Sequence, residues 1–163
     1  MVHGRPAAMV RRLLRAPNVL YDRDLGWLLG ERFLRLVHVG RTSGRRYRTV
    51  LEVVGAGPRS GEVVVLSGLG RSADWYRNIQ ANGEAEITVG RRSFVAAFRT
   101  LDESEAVAVL AGYERRNRWV TPVVRAVLSR LVGWHYDGSE TARRRLAGEL
   151  PMVAFRPIDP SAG

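Results

Sequence analysis

Two apolar, β-branched runs, 32–39 (RFLRLVHV) and 47–57 (YRTVLEVVGAG), are separated only by the glycine-bearing stretch GRTSGRR. Such runs read as strands, and so short a turn joins them antiparallel, because parallel neighbours need a crossover of about a dozen residues or more. GPRSG turns the chain into a third strand at 62–67 (EVVVLS). Runs 84–89 (EAEITV) and 93–101 (SFVAAFRTL) flank Gly90 as a further hairpin, and 151–157 (PMVAFRP) supplies a last strand. A single short helix, 73–82 (ADWYRNIQAN), interrupts the series. The pattern predicts a mixed α+β chain with an antiparallel sheet of six strands. Closure of that sheet into a small barrel would leave no exposed edge.

A competing signal lies in SGLGRSA (67–73), a G-x-G-x-x-A match between a strand and a helix, which is the setting of a dinucleotide-binding fingerprint. That fingerprint belongs after the first strand of a parallel sheet, with an acidic residue ending the next strand. Here two hairpin-joined strands precede it, and the next strand runs into TVGRR. The order of elements rules the dinucleotide fold out.

The remaining apolar periodicity is helical: 103–116, 121–132 and 139–149, with two N-terminal segments at 5–15 and at 18–29, the latter capped by Asn18. The expected organisation is one domain over 1–163. Helices occupy 1–30, barrel strands with one inserted helix 31–101, a helical segment 102–150 and the closing strand 151–158.

All 26 Lys+Arg positions are arginine, and the net charge is +10. Such a chain attracts anions, and arginine is the better bidentate partner for phosphate and carboxylate. Arginines without interleaved exposed aromatics make no recognisable nucleic-acid reader, so no nucleic-acid partner is expected. There is no cysteine, which removes thiol nucleophiles and thiolate metal sites. His3, His38 and His135 have no metal-ligand spacing, so no metal is expected, and His38 reads as a barrel residue. No run reaches membrane-spanning length, and no apolar signal core follows the basic N-terminus, giving a cytoplasmic expectation. The basic amphipathic segment 5–15 either docks on the barrel or makes peripheral contact with an anionic membrane.

Two segments offer chemistry. In GRTSGRRYRT (40–49), Gly40 and Gly44 permit positive φ. Thr42, Ser43 and the backbone N–H groups suit an anion, and Arg41, Arg45, Arg46 and Arg48 supply charge. In SGLGRSADWYRN (67–78), Ser67 ends a strand, Gly68 and Gly70 allow close approach to the backbone, and a helix starts at Ser72 or Asp74.

In this order, LVHVGRTSGRRYRTVL, VVVLSGLG, ADWYRNIQANGEAEITVGRRSF and the closing PMVAFRP resemble the deazaflavin-dependent nitroreductase and quinone reductase family. That family pairs a G-[RK]-x-[ST]-G turn with a W-Y-x-N-[LIV]-x-A-N helix and a V-x-V-G strand. The resemblance implies a split β-barrel, a monomer or homodimer, and hydride transfer from reduced coenzyme F420 to a small-molecule quinone, enone or nitro acceptor. The cofactor is a deazaflavin with a phosphate and a polyglutamate tail. Implied cofactor-binding residues are Arg41, Thr42, Ser43, Gly44, Arg45, Arg48 and Thr49, with Ser67, Gly68, Leu69 and Gly70 against the ring. Trp75 and Asn78 would anchor the helix beside it. A compact glycine loop and Val50 in place of a frequent proline depart from the pattern. They leave an FMN-dependent reductase, or a non-catalytic flavin-, deazaflavin- or haem-binding barrel, as alternatives. Tyr113 and Tyr136 are the candidate proton donors, and Trp119 and Trp134 are further aromatic pocket candidates.

Overall fold

A computed structural model describes residues 31–158. The expected helices at 5–15 and 18–29 lie outside the described residues. Six strands follow: β1 (Phe33–Val39), β2 (Arg46–Ala56), β3 (Val63–Leu66), β4 (Glu86–Val89), β5 (Arg92–Thr100) and β6 (Met152–Pro157). Helix α1 (Asp74–Asn82) stands between β3 and β4, and α2 (Glu103–Arg116), α3 (Thr121–Val132) and α4 (Glu140–Glu149) between β5 and β6. The strands close in the order β1-β2-β3-β6-β5-β4, every pairing antiparallel.

Alternation along β1 turns Leu34, Leu36 and His38 inward. Leu34 and Leu36 meet Ile87, Val89, Ala96, Val153, Phe155 and, from α1, Trp75 and Ile79 in the barrel core. Each large apolar side chain buried there contributes about 1.5–3 kcal/mol. A second core lies outside the barrel wall. Val64 of β3 and Met152 and Ala154 of β6 face α2 and α4 through Val109, Leu110 and Leu146. This explains why β6 is apolar without alternation: Val153 and Phe155 point into the barrel, while their neighbours point under the helices. Asp102 starts α2 with a reciprocal capping box to Glu105.

The barrel opens along β2. Its first half pairs with β1, from Val39↔Arg46 to Phe33↔Glu52, whereas pairing with β3 begins only at Val53↔Val65. The N-terminal half of β2 thus keeps one edge clear of strands among the described residues. The glycine loop after β3 and the start of α1 come to that edge.

Candidate functional site

The β1–β2 turn is tied back on itself. The Gly40 N–H donates to the Arg45 carbonyl at 2.8 Å and the Gly44 N–H to the Gly40 carbonyl at 2.9 Å. Gly44 takes φ +66°, which disfavours any residue with a side chain. A Cβ at Gly40 would collide with Ser43 Oγ and stand 2.8 Å from the Tyr47 ring. The motif glycines therefore let the turn fold tightly enough to put Arg41 against α1.

Arg41 is held there by Asn78. Asn78 Oδ1 accepts from the Arg41 backbone N–H at 3.1 Å and from Arg41 Nη1 at 2.8 Å, while Nη2 reaches Asp74 Oδ1 at 3.2 Å. With its oxygen so engaged, Asn78 must donate through Nδ2 to His38 Nδ1, 3.0 Å away. His38 Nδ1 is then an acceptor, so the proton sits on Nε2, which donates to Thr49 Oγ1 at 3.1 Å. This assignment requires a neutral imidazole. Burial agrees, lowering the His38 pKa from its ordinary value against the opposing pull of Asp74. Asn78 is only 4% exposed, and His38 stacks on Tyr47 with ring centroids 5.8 Å apart.

Around this network lies a cavity of about 520 Å³, lined by the turn and β2 start, by Leu69 and by Ala73, Asp74, Trp75 and Asn78 of the α1 start. It brings together Arg41, Thr42, Ser43, Arg48, Thr49, Leu69, Trp75 and Asn78 of the expected residues. Gly44 and Arg45 belong to the same turn without lining the cavity. Ser67, Gly68 and Gly70 shape the loop instead. Ser67 is fully buried and its Oγ donates to the Gly70 carbonyl at 2.7 Å, so this hydroxyl points into the loop. Sequence reasoning missed His38, Tyr47 and Asp74 as lining residues. The one available signal was a polar His38 on the inward face of β1, two positions before the glycine turn.

The expected proton donors lie elsewhere. Tyr113 on α2 donates to Glu52 Oε1 at 2.7 Å. It lines a different cavity of about 600 Å³, formed by the distal half of β2, the start of β3 and α2. That cavity contains none of the expected cofactor-binding residues, and its carboxylates already have partners: Glu52 faces Arg32 at 3.9 Å and Glu31 faces Arg92 at 3.1 Å. Tyr136 is fully buried and donates to Glu114 Oε1 at 2.5 Å. Burial and carboxylate partners raise both phenol pKa values well above the usual tyrosine range. Trp134 donates to the Glu149 carboxylate under the Arg145 guanidinium, and Trp119 stands in solvent. No group of three or more His, Cys, Asp or Glu is placed to hold a metal ion among the described residues.

Comparison with known proteins agrees with the motif reading. Similar solved structures include a putative pyridoxamine 5′-phosphate oxidase from Listeria innocua (11% identity, 86% of this chain and 94% of that one, TM-score 0.51). Another is a protein of unknown function from Agrobacterium tumefaciens str. C58 (14% identity, 90% and 59%, TM-score 0.52). Both share the barrel fold. An F420-H2 dependent reductase, FDR-A, aligns at 15% identity over 78% of this chain and 96% of that one, with a TM-score of 0.43. Among curated proteins there is no significant match. The model for the F420H(2)-dependent quinone reductase family matches residues 18–129, well over half of the chain. Its span includes the Arg41 turn, the glycine loop and α1, so the chain belongs to the F420H2-dependent quinone reductase family, oxidoreductases whose reductant is the deazaflavin F420.

Proposed function

We propose that reduced F420 occupies the Arg41 cavity and that the hydride acceptor is a quinone, an enone or a nitro compound. The observation that carries this reading is the convergence of cationic turn, apolar loop and helix start in one cavity of ligand size. The donor set fits the two chemically different parts of the cofactor. Arg41 and Arg48, with the hydroxyls of Thr42, Ser43 and Thr49, suit the phosphate and carboxylates of the tail. Leu69, Ala73 and Trp75 give an apolar wall suited to a flat ring. Arg45, exposed in the same turn, extends the cationic rim.

When bound, the cofactor supplies the hydride, and the protein supplies position and shielding. Asn78 fixes the Arg41 backbone and guanidinium together, and His38 fixes the Asn78 amide. The cationic contact is thereby oriented before a ligand arrives, which lowers the ordering cost of binding. Asp74 offsets part of the Arg41 charge at 3.2 Å, but its carboxylate is solvent-facing and water weakens that pairing.

Replacing Arg41 and Arg45 together by Ala tests the reading. Each lost charge-assisted contact is worth about 1.5–3 kcal/mol, so F420 affinity should fall by roughly two orders of magnitude or more. The thermal midpoint should shift far less. Unchanged F420 affinity in a folded double variant would remove the turn from the cofactor site.

A further inference from the structure

The α3 helix is apolar on two sides but, among the described residues, covered on only one. Leu128, Val124 and Val132 pack into the outer core, while Val123, Val127 and Leu131, four residues apart in sequence, face out. Val120 extends this stripe one turn earlier. Trp119, in the short 3-10 turn Arg118–Val120 that leads into α3, is 93% exposed. A helix apolar all round belongs in a core, and a contiguous exposed apolar stripe marks an interaction surface.

The stripe also reaches the candidate site. A Cβ at Gly68 would sit 3.6 Å from Leu131 Cδ1, so the end of α3 abuts the glycine loop. Leu69 of that loop is 73% exposed and lines the Arg41 cavity. Trp119, Val123, Val127, Leu131 and Leu69 thus mark a path from the tip of the helix to the cavity mouth.

The charge around the stripe selects its occupant. From Arg115 to Tyr136 the sequence contains Arg115, Arg116, Arg118, Arg125 and Arg130 and no aspartate or glutamate. Arg115, Arg116, Arg118 and Arg130 are exposed, although the Arg116 guanidinium also reaches the Val54 carbonyl, and Arg125 turns back to Glu114. Pairing the stripe with a second copy of itself would set these arginines against one another. An anionic bilayer gives them phosphates, takes the valines and leucines into its acyl boundary, and suits an indole at the headgroup level. We propose that the outer face of α3, led by Trp119, docks the protein on anionic membrane surfaces. No helix of the described residues is long and apolar enough to cross a membrane, and the proposed contact is one in which α3 lies along the membrane surface. The docking does not depend on which cofactor fills the cavity.

The test uses the full-length protein with vesicles of phosphatidylcholine alone or mixed with phosphatidylglycerol. Sedimentation should show binding to the anionic vesicles only, weakening as salt rises. The combined variant Trp119→Ser, Val123→Ser, Val127→Ser should bind at least roughly tenfold less, because three apolar side chains no longer enter the boundary. Its thermal midpoint should change little, since all three side chains are more than half exposed. The cysteine-free chain permits a local readout. An environment-sensitive dye on Val127→Cys should shift to the blue on anionic vesicles, and the same dye on Ser60→Cys in the β2–β3 turn should not. A silent dye at Val127→Cys, undiminished binding by the triple variant, or equal binding to neutral vesicles would overturn the proposal. So would a dimer that the triple variant abolishes in a protein that ignores vesicles.

Discussion

Replacing Asn78 by Leu removes the hub of the site without changing its size greatly. Three hydrogen bonds are lost, two from Arg41 and one to His38. The Arg41 guanidinium can recover water, because that side chain is 26% exposed. His38 Nδ1 is left behind buried and the Arg41 backbone N–H part-buried. Each stranded group costs about 1–3 kcal/mol, nearer the low end for the part-buried Arg41 N–H, so the expected loss of stability is about 2–4 kcal/mol. For a chain of this size that is a fall in thermal midpoint of roughly 5–15 °C. F420 affinity should fall with it at temperatures where the variant is fully folded, because Arg41 is no longer oriented. Scanning calorimetry gives the first number and fluorescence titration the second. A midpoint lowered by less than about 2 °C would show that Asn78 is not the structural hub described here. Lost stability with intact affinity would show that Arg41 orients itself without it.

Two other perturbations have defined outcomes. Burial depresses the His38 pKa in the folded state, so the neutral form stabilises the fold above the ordinary histidine value. That stability is lost as pH falls below about 6.5 toward the folded-state value. Protonated Nδ1 would also face the Asn78 amide N–H₂, loosening Arg41, so F420 affinity should fall at lower pH still, where folded His38 itself takes up a proton. The acid-side loss should be smaller in His38→Gln, and identical pH profiles for the two proteins would refute the tautomer assignment. Far from the cavity, Glu114→Ala strands Tyr136 and Arg143, which bind its carboxylate at 2.5 and 2.8 Å. Removing one partner of such a buried set costs about 3–5 kcal/mol. Urea unfolding should show that loss while the folded fraction still binds F420, and a loss below about 1 kcal/mol would contradict the buried network.

The strands and helices were legible because each is a short apolar run with one periodicity, bounded by glycine, proline or a capping residue. Even the unalternating MVAFRP was readable as a strand. Why it is apolar on both faces required knowing that helices cover the outside of the barrel wall. In the site, the turn and the α1 start were legible as motifs, since the same residues close the turn and present Arg41. His38 was not, because a histidine between valines on a strand reads as barrel filling. Its role arises only when Asn78, forty positions later, folds against it. Tyr136 misled for the converse reason. An aromatic near the end of a helical segment suggests a pocket wall, but Glu114, the partner that buries it, lies 22 residues away. Ser67 and Gly70 illustrate a loop whose polar atoms satisfy each other rather than facing outward.

Titration of the purified chain with F420 and, separately, with FMN, followed through ligand fluorescence, bears on the cavity as a deazaflavin site. Saturable F420 binding is expected, abolished or strongly weakened in the Arg41→Ala, Arg45→Ala variant, with FMN held at least about tenfold more weakly for want of the polyglutamate tail. Equal or tighter binding of FMN, or no binding of F420 by the folded protein, would contradict it.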